Sequence, residues 1–252
     1  MKLNKKKILF IGLVIILLVI IVLVSFLSTG NKTITLDFES RVDTLKQFKT
    51  DYYKIGWLQV SGTNIDLPIL DSTATSVEPD YSFGWRSDNY ETGENREVLL
   101  GHNVINVSSN PMLSNDNLTD FESLMSFSHA SFAKDNLYIQ YTKNGKDELY
   151  LIYAIGFYSY NYDSAESFNS DEETKEYIEK TIQNSIYDYD VDVNSSDTLL
   201  TVKTCTRYFG ANTLQQFVVD ARKVREDEEI VKYNVKTNKK FDELIGNKGI
   251  DS

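Results

Sequence analysis

The chain has almost no cysteine. Cys205 is the one cysteine among 252 residues, so an intramolecular disulfide framework is excluded. Proline is rare, at three, and histidine rarer still, at two, His102 and His129. Positive charge is in deficit: 26 Lys and Arg stand against 37 Asp and Glu, and the net charge of −11 argues against nucleic acid as a partner. No cofactor motif, metal-ligand cluster, internal repeat or low-complexity segment is visible. The acidic stretch Asp188-Tyr189-Asp190-Val191-Asp192 reads as a solvated loop rather than a Ca²⁺ site.

What the chain does have begins at its N-terminus. Lys2, Lys5, Lys6 and Lys7 precede an apolar run from Ile8 to Leu27, interrupted only by Gly12 and Ser25. About 20 such residues form a helix that spans ~30 Å of hydrocarbon. A cleaved signal peptide has a shorter apolar core of roughly 7–15 residues and ends in small residues. The run is longer and ends in Ser25-Phe26-Leu27-Ser28, which favours a retained anchor. Lysines before the run and none just after put the N-terminus inside and the rest outside. The expected organisation is a cytoplasmic basic segment (1–7), a single-pass membrane signal-anchor (8–28), a stalk with an N-terminal helix (29–54), a main extracellular domain (55–226) and a charged, peripheral tail (227–252).

An exported chain with one cysteine carries a reduced thiol, and that asks for a reason. Two readings stand: a nucleophile at a strand end, or a small buried hydrophobe. The surroundings are strand-like. Tyr (16) and Phe (13) are plentiful, and short alternating aromatic and β-branched runs suit strands. Strands are expected over 56–70 (two, around the turn Ser61-Gly62-Thr63-Asn64), 96–100, 137–142, 148–160, 198–205 and 216–224. Asn144-Gly145 signals a hairpin. A helix is expected over 35–53, with Leu36, Val42, Leu45 and Phe48 as its stripe, and a short one within 118–132. Ser170-Asp171-Glu172-Glu173 reads as the N-terminus of a third, running to about Ile186. The segment 72–95 is polar and turn-rich, with Phe83-Gly84-Trp85 inside it.

His102 follows the apolar strand Val98-Leu99-Leu100 and Gly101, a position where a strand opens into a loop and catalytic side chains are common. His129 lies in Ser126-Phe127-Ser128-His129-Ala130 and reads as structural. A thiol, a base and a cation together can run acyl transfer through a tetrahedral oxyanion and an acyl-enzyme.

Four segments carry a family resemblance. Thr201-Val202-Lys203-Thr204-Cys205 resembles the sortase signature Thr-Leu-X-Thr-Cys, with Val202 in place of Leu. The stretch from Gly56 to Ile69 resembles the opening of the class B sortase barrel. Val98-Leu99-Leu100-Gly101-His102-Asn103 is similar to the family's apolar strand followed by Gly-His-Asn, and Phe217 to Val224 resembles its last strand. The likeness covers residues 35 to 226. It implies a mainly β fold: a sortase-like mixed β-barrel of seven or eight strands, with N-terminal helices and an inserted helix before the Cys strand. It also implies a cysteine transpeptidase on a Gram-positive-type cell surface. Such an enzyme cleaves the C-terminal sorting signal of a secreted protein, holds it as a thioester and transfers it to an amine, either a pilin lysine or a peptidoglycan cross-bridge. Cys205 is then the nucleophile and His102 the proton donor and acceptor.

The family's third residue, an Arg at the start of the last strand, is absent, and Gln216 stands there. Arg207, two residues past Cys205, is the expected source of the positive charge. Gln216, Thr204 and Asn103 are the alternative oxyanion or substrate contacts. Arg222 lies too far along its strand, about 20 Å by strand rise, and is expected to pair with acids. The missing Arg also leaves room for a non-catalytic anchored barrel acting as a binding scaffold. A plain cysteine peptidase, in which water resolves the acyl-enzyme, is a third reading. The Arg departure and the Phe83-Gly84-Trp85 segment mark a divergent class B branch, with pilin work the favoured task.

Overall fold

The computed structural model describes residues 32–48, 54–71, 83–86, 95–103, 120–159, 168, 170–206, 208–209 and 215–246. The expected anchor (8–28) and Arg207 lie outside them. Among the described residues no helix is long and apolar enough to cross a membrane.

The chain divides into two units. In the smaller one, Thr33 pairs with Val231 in an antiparallel bridge, and the Ile34 N–H donates to the Ile230 carbonyl at 3.0 Å. The larger unit is built on β1 (Lys54–Val60), β2 (Asp66–Leu70), β3 (Gly84–Arg86), β4 (Arg96–Gly101), β5 (Tyr138–Lys143), β6 (Lys146–Ser159), β8 (Leu199–Thr206) and β9 (Gln215–Lys223). These eight close into a barrel in the order β1-β2-β3-β4-β8-β9-β6-β5. The β2–β3 and β4–β8 ladders are parallel and the others antiparallel. The fold is therefore the mixed, mainly β barrel that the sequence leads one to expect. Closure leaves no bare edge in the barrel.

Local sequence explains several elements. Asn144 (φ 51°) and Gly145 (φ 75°) both take left-handed backbone at the tip of the β5–β6 hairpin, as a two-residue type I′ turn requires. The helix before β8 spans Asp171–Asn184, and the Ser170 hydroxyl accepts from the Glu173 N–H at 3.2 Å. Asp171, Glu172 and Glu173 in its first turn suit the positive end of the helix dipole. Its buried residues Thr174, Tyr177, Ile178 and Thr181 follow the helical period and pack Tyr177 and Ile178 on Tyr153, Ala154 and Leu199.

The expected short helix within 118–132 is present, and two other expectations are corrected. The N-terminal helix (α1) covers only Val42–Gln47 and buries no residue, so the stripe that includes Leu36 does not continue through it. A 3₁₀ helix occupies Asp120–Ser128, followed by α2 (Ala130–Asp135); the helix of the preceding paragraph is α3. The tail is not peripheral. Its β10 (Val235–Thr237) pairs antiparallel with β7 (Tyr187–Tyr189), and α4 (Lys239–Leu244) follows. Val235, Phe241 and Ile245 are buried there. These apolar anchors dock the segment together with the β7 ladder and a hydrogen bond from the Asn238 amide to the Ser185 carbonyl at 2.9 Å.

Candidate active site

The β4–β8 ladder runs in register from Arg96↔Leu199 to Gly101↔Thr204. One step further along the two parallel strands come His102 and Cys205. Neighbouring strands lie about 5 Å apart, so chain segments ~100 residues apart in sequence arrive side by side. On the other side, β9 pairs antiparallel with β8 and sets Gln216 directly opposite Cys205. Side chains alternate along a strand, so Leu199, Thr201, Lys203 and Cys205 share one face of β8. Their β9 partners Arg222, Asp220, Val218 and Gln216 share it too. Cys205 is the one exposed residue of β8. That removes the buried-hydrophobe reading of its thiol.

The strand ends are tied together. The buried Thr204 hydroxyl donates to the Gly101 carbonyl at 2.8 Å, fixing the residue before the cysteine to the residue before the histidine. Gly101 must be glycine: a Cβ there would lie 2.2 Å from the ring of Phe121 in the 3₁₀ helix, which is buried against this backbone. Asn103 is buried. His102 is half-buried, and burial pulls its imidazole below the usual histidine value, which favours the neutral ring. The ring of Trp85 lies 4.6 Å from that of His102, inclined at 64°.

Farther along the shared face is a buried polar network. The Tyr177 hydroxyl donates to Asp220 at 2.7 Å, and the Thr201 hydroxyl donates to the same carboxylate oxygen at 2.6 Å. Arg96 donates to Tyr177 and Thr201 and lies 4.0 Å over the Tyr177 ring. Burial pushes the Asp220 carboxyl up, against the pull of Arg96, Thr201, Tyr177 and Lys203. The network clamps α3 onto β8 and β9, below the cysteine.

Arg222 belongs to a different cluster. It is bound to both carboxylate oxygens of Glu228, at 2.6 and 2.5 Å, and to the Asp192 carbonyl at 2.6 Å. Asp192 and Asp197 in turn pair with Arg225. Its β8 partner is Leu199, six residues from Cys205. His129 is the residue preceding α2, where its carbonyl accepts from the Ala133 N–H at 3.0 Å, and it lies on none of the three strands above.

Two residues of this neighbourhood escape a local reading of the sequence. Lys203 is buried two residues before Cys205 on the same face; period-two alternation was the available signal. Trp85 sits in a segment that reads as turn-rich, but it is a β3 residue opposite Leu100. Among the described residues no group of three or more His, Cys, Asp or Glu side chains could hold a metal ion.

Comparison with known proteins agrees with this architecture. No family model matches the sequence. Sortase B of Staphylococcus aureus (strain NCTC 8325 / PS 47) is 23% identical over 182 residues, which are 66% of this chain and 68% of that protein. The crystal structure of Clostridium perfringens sortase B superposes with a TM-score of 0.59 and 23% identity, covering 73% of this chain and 99% of that one. Sortase B from the type II pilus of Streptococcus pneumoniae gives a TM-score of 0.56 and 17% identity, covering 74% and 98%. The chain thus has the sortase B fold, and its sequence is distantly similar to sortase B.

Proposed function

We propose that the chain is a membrane-anchored cysteine transpeptidase. In this reading residues 8–28 hold it in the cell membrane with the barrel outside, and it acts on secreted proteins that carry a C-terminal sorting signal. The observation that carries the reading is the β4–β8 register, in which Cys205 and His102 each follow the last pair, Gly101↔Thr204.

The chemistry follows from those groups. The neutral His102 imidazole takes the Cys205 thiol proton, and the resulting thiolate attacks the carbonyl carbon of the scissile peptide bond to give a tetrahedral oxyanion. The C–N bond breaks as the His102 imidazolium protonates the leaving amine, and a thioester remains on Cys205. An acceptor amine then gives its proton to His102 and attacks the thioester carbonyl. The C–S bond breaks and the thiolate returns. Arg207 is the proposed cation for the oxyanion, with Gln216, Thr204 and Asn103 as further polar contacts for the substrate. A pilin lysine is the favoured acceptor over a peptidoglycan cross-bridge; the likeness to a sortase B of a pilus supports that choice.

The test is mass spectrometry of the full chain incubated with a panel of sorting peptides. The expected product is a hydroxylamine-sensitive adduct on Cys205, absent in Cys205→Ala and His102→Ala. Folded wild-type protein that forms no adduct with any peptide, yet binds one of them, would favour the scaffold reading.

A further inference from the structure

Trp85 occupies an unusual place for a buried aromatic residue. It is only 7% exposed, yet it lies against one of the two proposed reacting side chains rather than deep in the barrel. The geometry follows from register. Trp85 on β3 is the direct antiparallel partner of Leu100 on β4. Cross-strand partners share a face, and the diagonal neighbour two residues on is within reach of an aromatic side chain. That diagonal neighbour of Trp85 is His102. The ring centroids are 4.6 Å apart with planes inclined at 64°, an edge-type aromatic contact.

Trp85 is itself held from behind. Phe83 packs on it at 6.3 Å between centroids, and the two form a cluster with Leu70, against which Phe48 and Leu100 pack. On the other face of the same strands, Gly84 and Gly101 both lie against the Phe121 ring, which fixes the spacing of β3 and β4. The indole is thus a rigid wall beside a side chain that has already left its strand. A histidine at a strand end has two side-chain torsions to settle, and acyl transfer needs its nitrogen aimed at one sulfur.

We propose that Trp85 is a positioning residue for His102: its indole sets the orientation of the imidazole toward Cys205. The assignment rests on the transpeptidase reading above for its consequence, but not for its geometry. Misplacing a reacting group by about 1 Å costs up to ~10² in rate, so the wall acts on the chemical step rather than on substrate affinity.

The experiment uses the full chain with Trp85→Leu and Trp85→Phe, read in two ways. The first is the NMR shift of the His102 Hε1 proton, assigned with His129→Gln. An indole within 5 Å shifts that proton by its ring current. Trp85→Leu should move it toward the shift of a solvated histidine, and Trp85→Phe should leave part of the displacement. The second is single-turnover thioester formation. Trp85→Leu should lower the rate at saturating peptide by about 10-fold or more, with half-saturation changed less than about twofold, and Trp85→Phe should restore most of the rate. An unmoved Hε1 resonance overturns the proposal. So does a raised half-saturation with an unchanged maximal rate, which would make Trp85 a substrate contact. If Trp85→Leu does not fold, Trp85→Met keeps volume without a ring and takes its place. Should wild type form no thioester at all, the transpeptidase reading fails, and the NMR measurement still decides the orientation.

Discussion

Cys205 and Gln216 are direct partners across the β8–β9 ladder. Their Cβ atoms are therefore about 5 Å apart on one face, and a neutral amide stands where the sortase resemblance calls for a guanidinium. The Gln216 amide oxygen is buried and has no hydrogen-bond partner among the described residues. An amide can donate to an oxyanion, but it brings no charge.

The first prediction concerns that charge. Arg207→Ala should slow thioester formation by about 10²–10³, the usual loss for one oxyanion donor. Gln216→Arg in the Arg207→Ala background should recover most of the loss, because position 216 faces the thiol. The measurement is the single-turnover acylation rate. An Arg207→Ala variant with wild-type rate, beside a Gln216→Ala variant that has lost it, would assign the oxyanion to the amide.

The second prediction concerns Gly101. Its missing Cβ is what lets the Phe121 ring lie against the backbone just before His102. Gly101→Ala should destabilise the fold by about 1–3 kcal/mol through overpacking. It should also reduce acylation. Phe121→Leu removes the ring and should recover part of both losses in the double variant. Urea unfolding and acylation rates of the four proteins form the cycle. Strict additivity would mean that the alanine acts by some route other than the ring.

The longer strands are legible as β-branched and aromatic runs between turn signals, although β2, β6, β8 and β9 are buried on both faces over most of their length rather than alternating; the short β3, β7 and β10 are not legible. The Asn144-Gly145 hairpin and the Ser170 cap are local signals and hold in the structure. The closing order of the barrel was not legible from periodicity, because β4 pairs with β8 across ~100 residues and no local pattern specifies a non-local partner. Resemblance implies a mixed barrel of seven or eight strands; the strand order comes from the structure. The tail escaped for the opposite reason. Val235, Phe241 and Ile245 are spaced too widely among charges to show a period, yet each is buried. Trp85 was visible only as an aromatic in a polar stretch. Its relation to His102 needs the β3–β4 register, which the sequence around it does not encode.

The third prediction is a pH dependence. Glu228 is held down to about 2, from 4.5, first by its hydrogen bonds from Arg222 and against the opposing effect of burial. A carboxyl depressed in the folded state stabilises fully above its unfolded value and loses that contribution as pH falls through the folded one. The window is therefore between about pH 4.5 and pH 2. Arg222 is 1% exposed and Glu228 16%, so solvent screening is weak. The shift corresponds to about 3 kcal/mol. Glu228→Gln should lower stability at pH 7 by about that amount and flatten the stability profile across the window. Urea unfolding at a series of pH values measures both. A variant as acid-sensitive as wild type would remove Glu228 from the account.

The last prediction separates scaffold from chemistry on the shared face of β8. Tyr177 reaches from α3 to donate to Asp220 and to accept from Arg96, with all three side chains buried. Tyr177→Phe keeps the ring under the guanidinium but removes one hydrogen bond each from Arg96 and Asp220, which both keep Thr201, at about 1–3 kcal/mol. Asp220→Asn leaves Arg96 without the carboxylate that offsets its charge and should cost more, about 3–5 kcal/mol. The two share one network, so the double variant should lose less than the sum. Thr201 is the β8 member of this network, and Lys203 lies between it and Cys205 on the same face. If the network only clamps α3 to the barrel, acylation by folded Tyr177→Phe should stay within a few-fold of wild type while its unfolding midpoint drops. A fall in acylation as large as that of Arg207→Ala, with stability unchanged, would instead make the network an electrostatic part of the site, acting on Cys205 through the charges of Asp220 and Lys203.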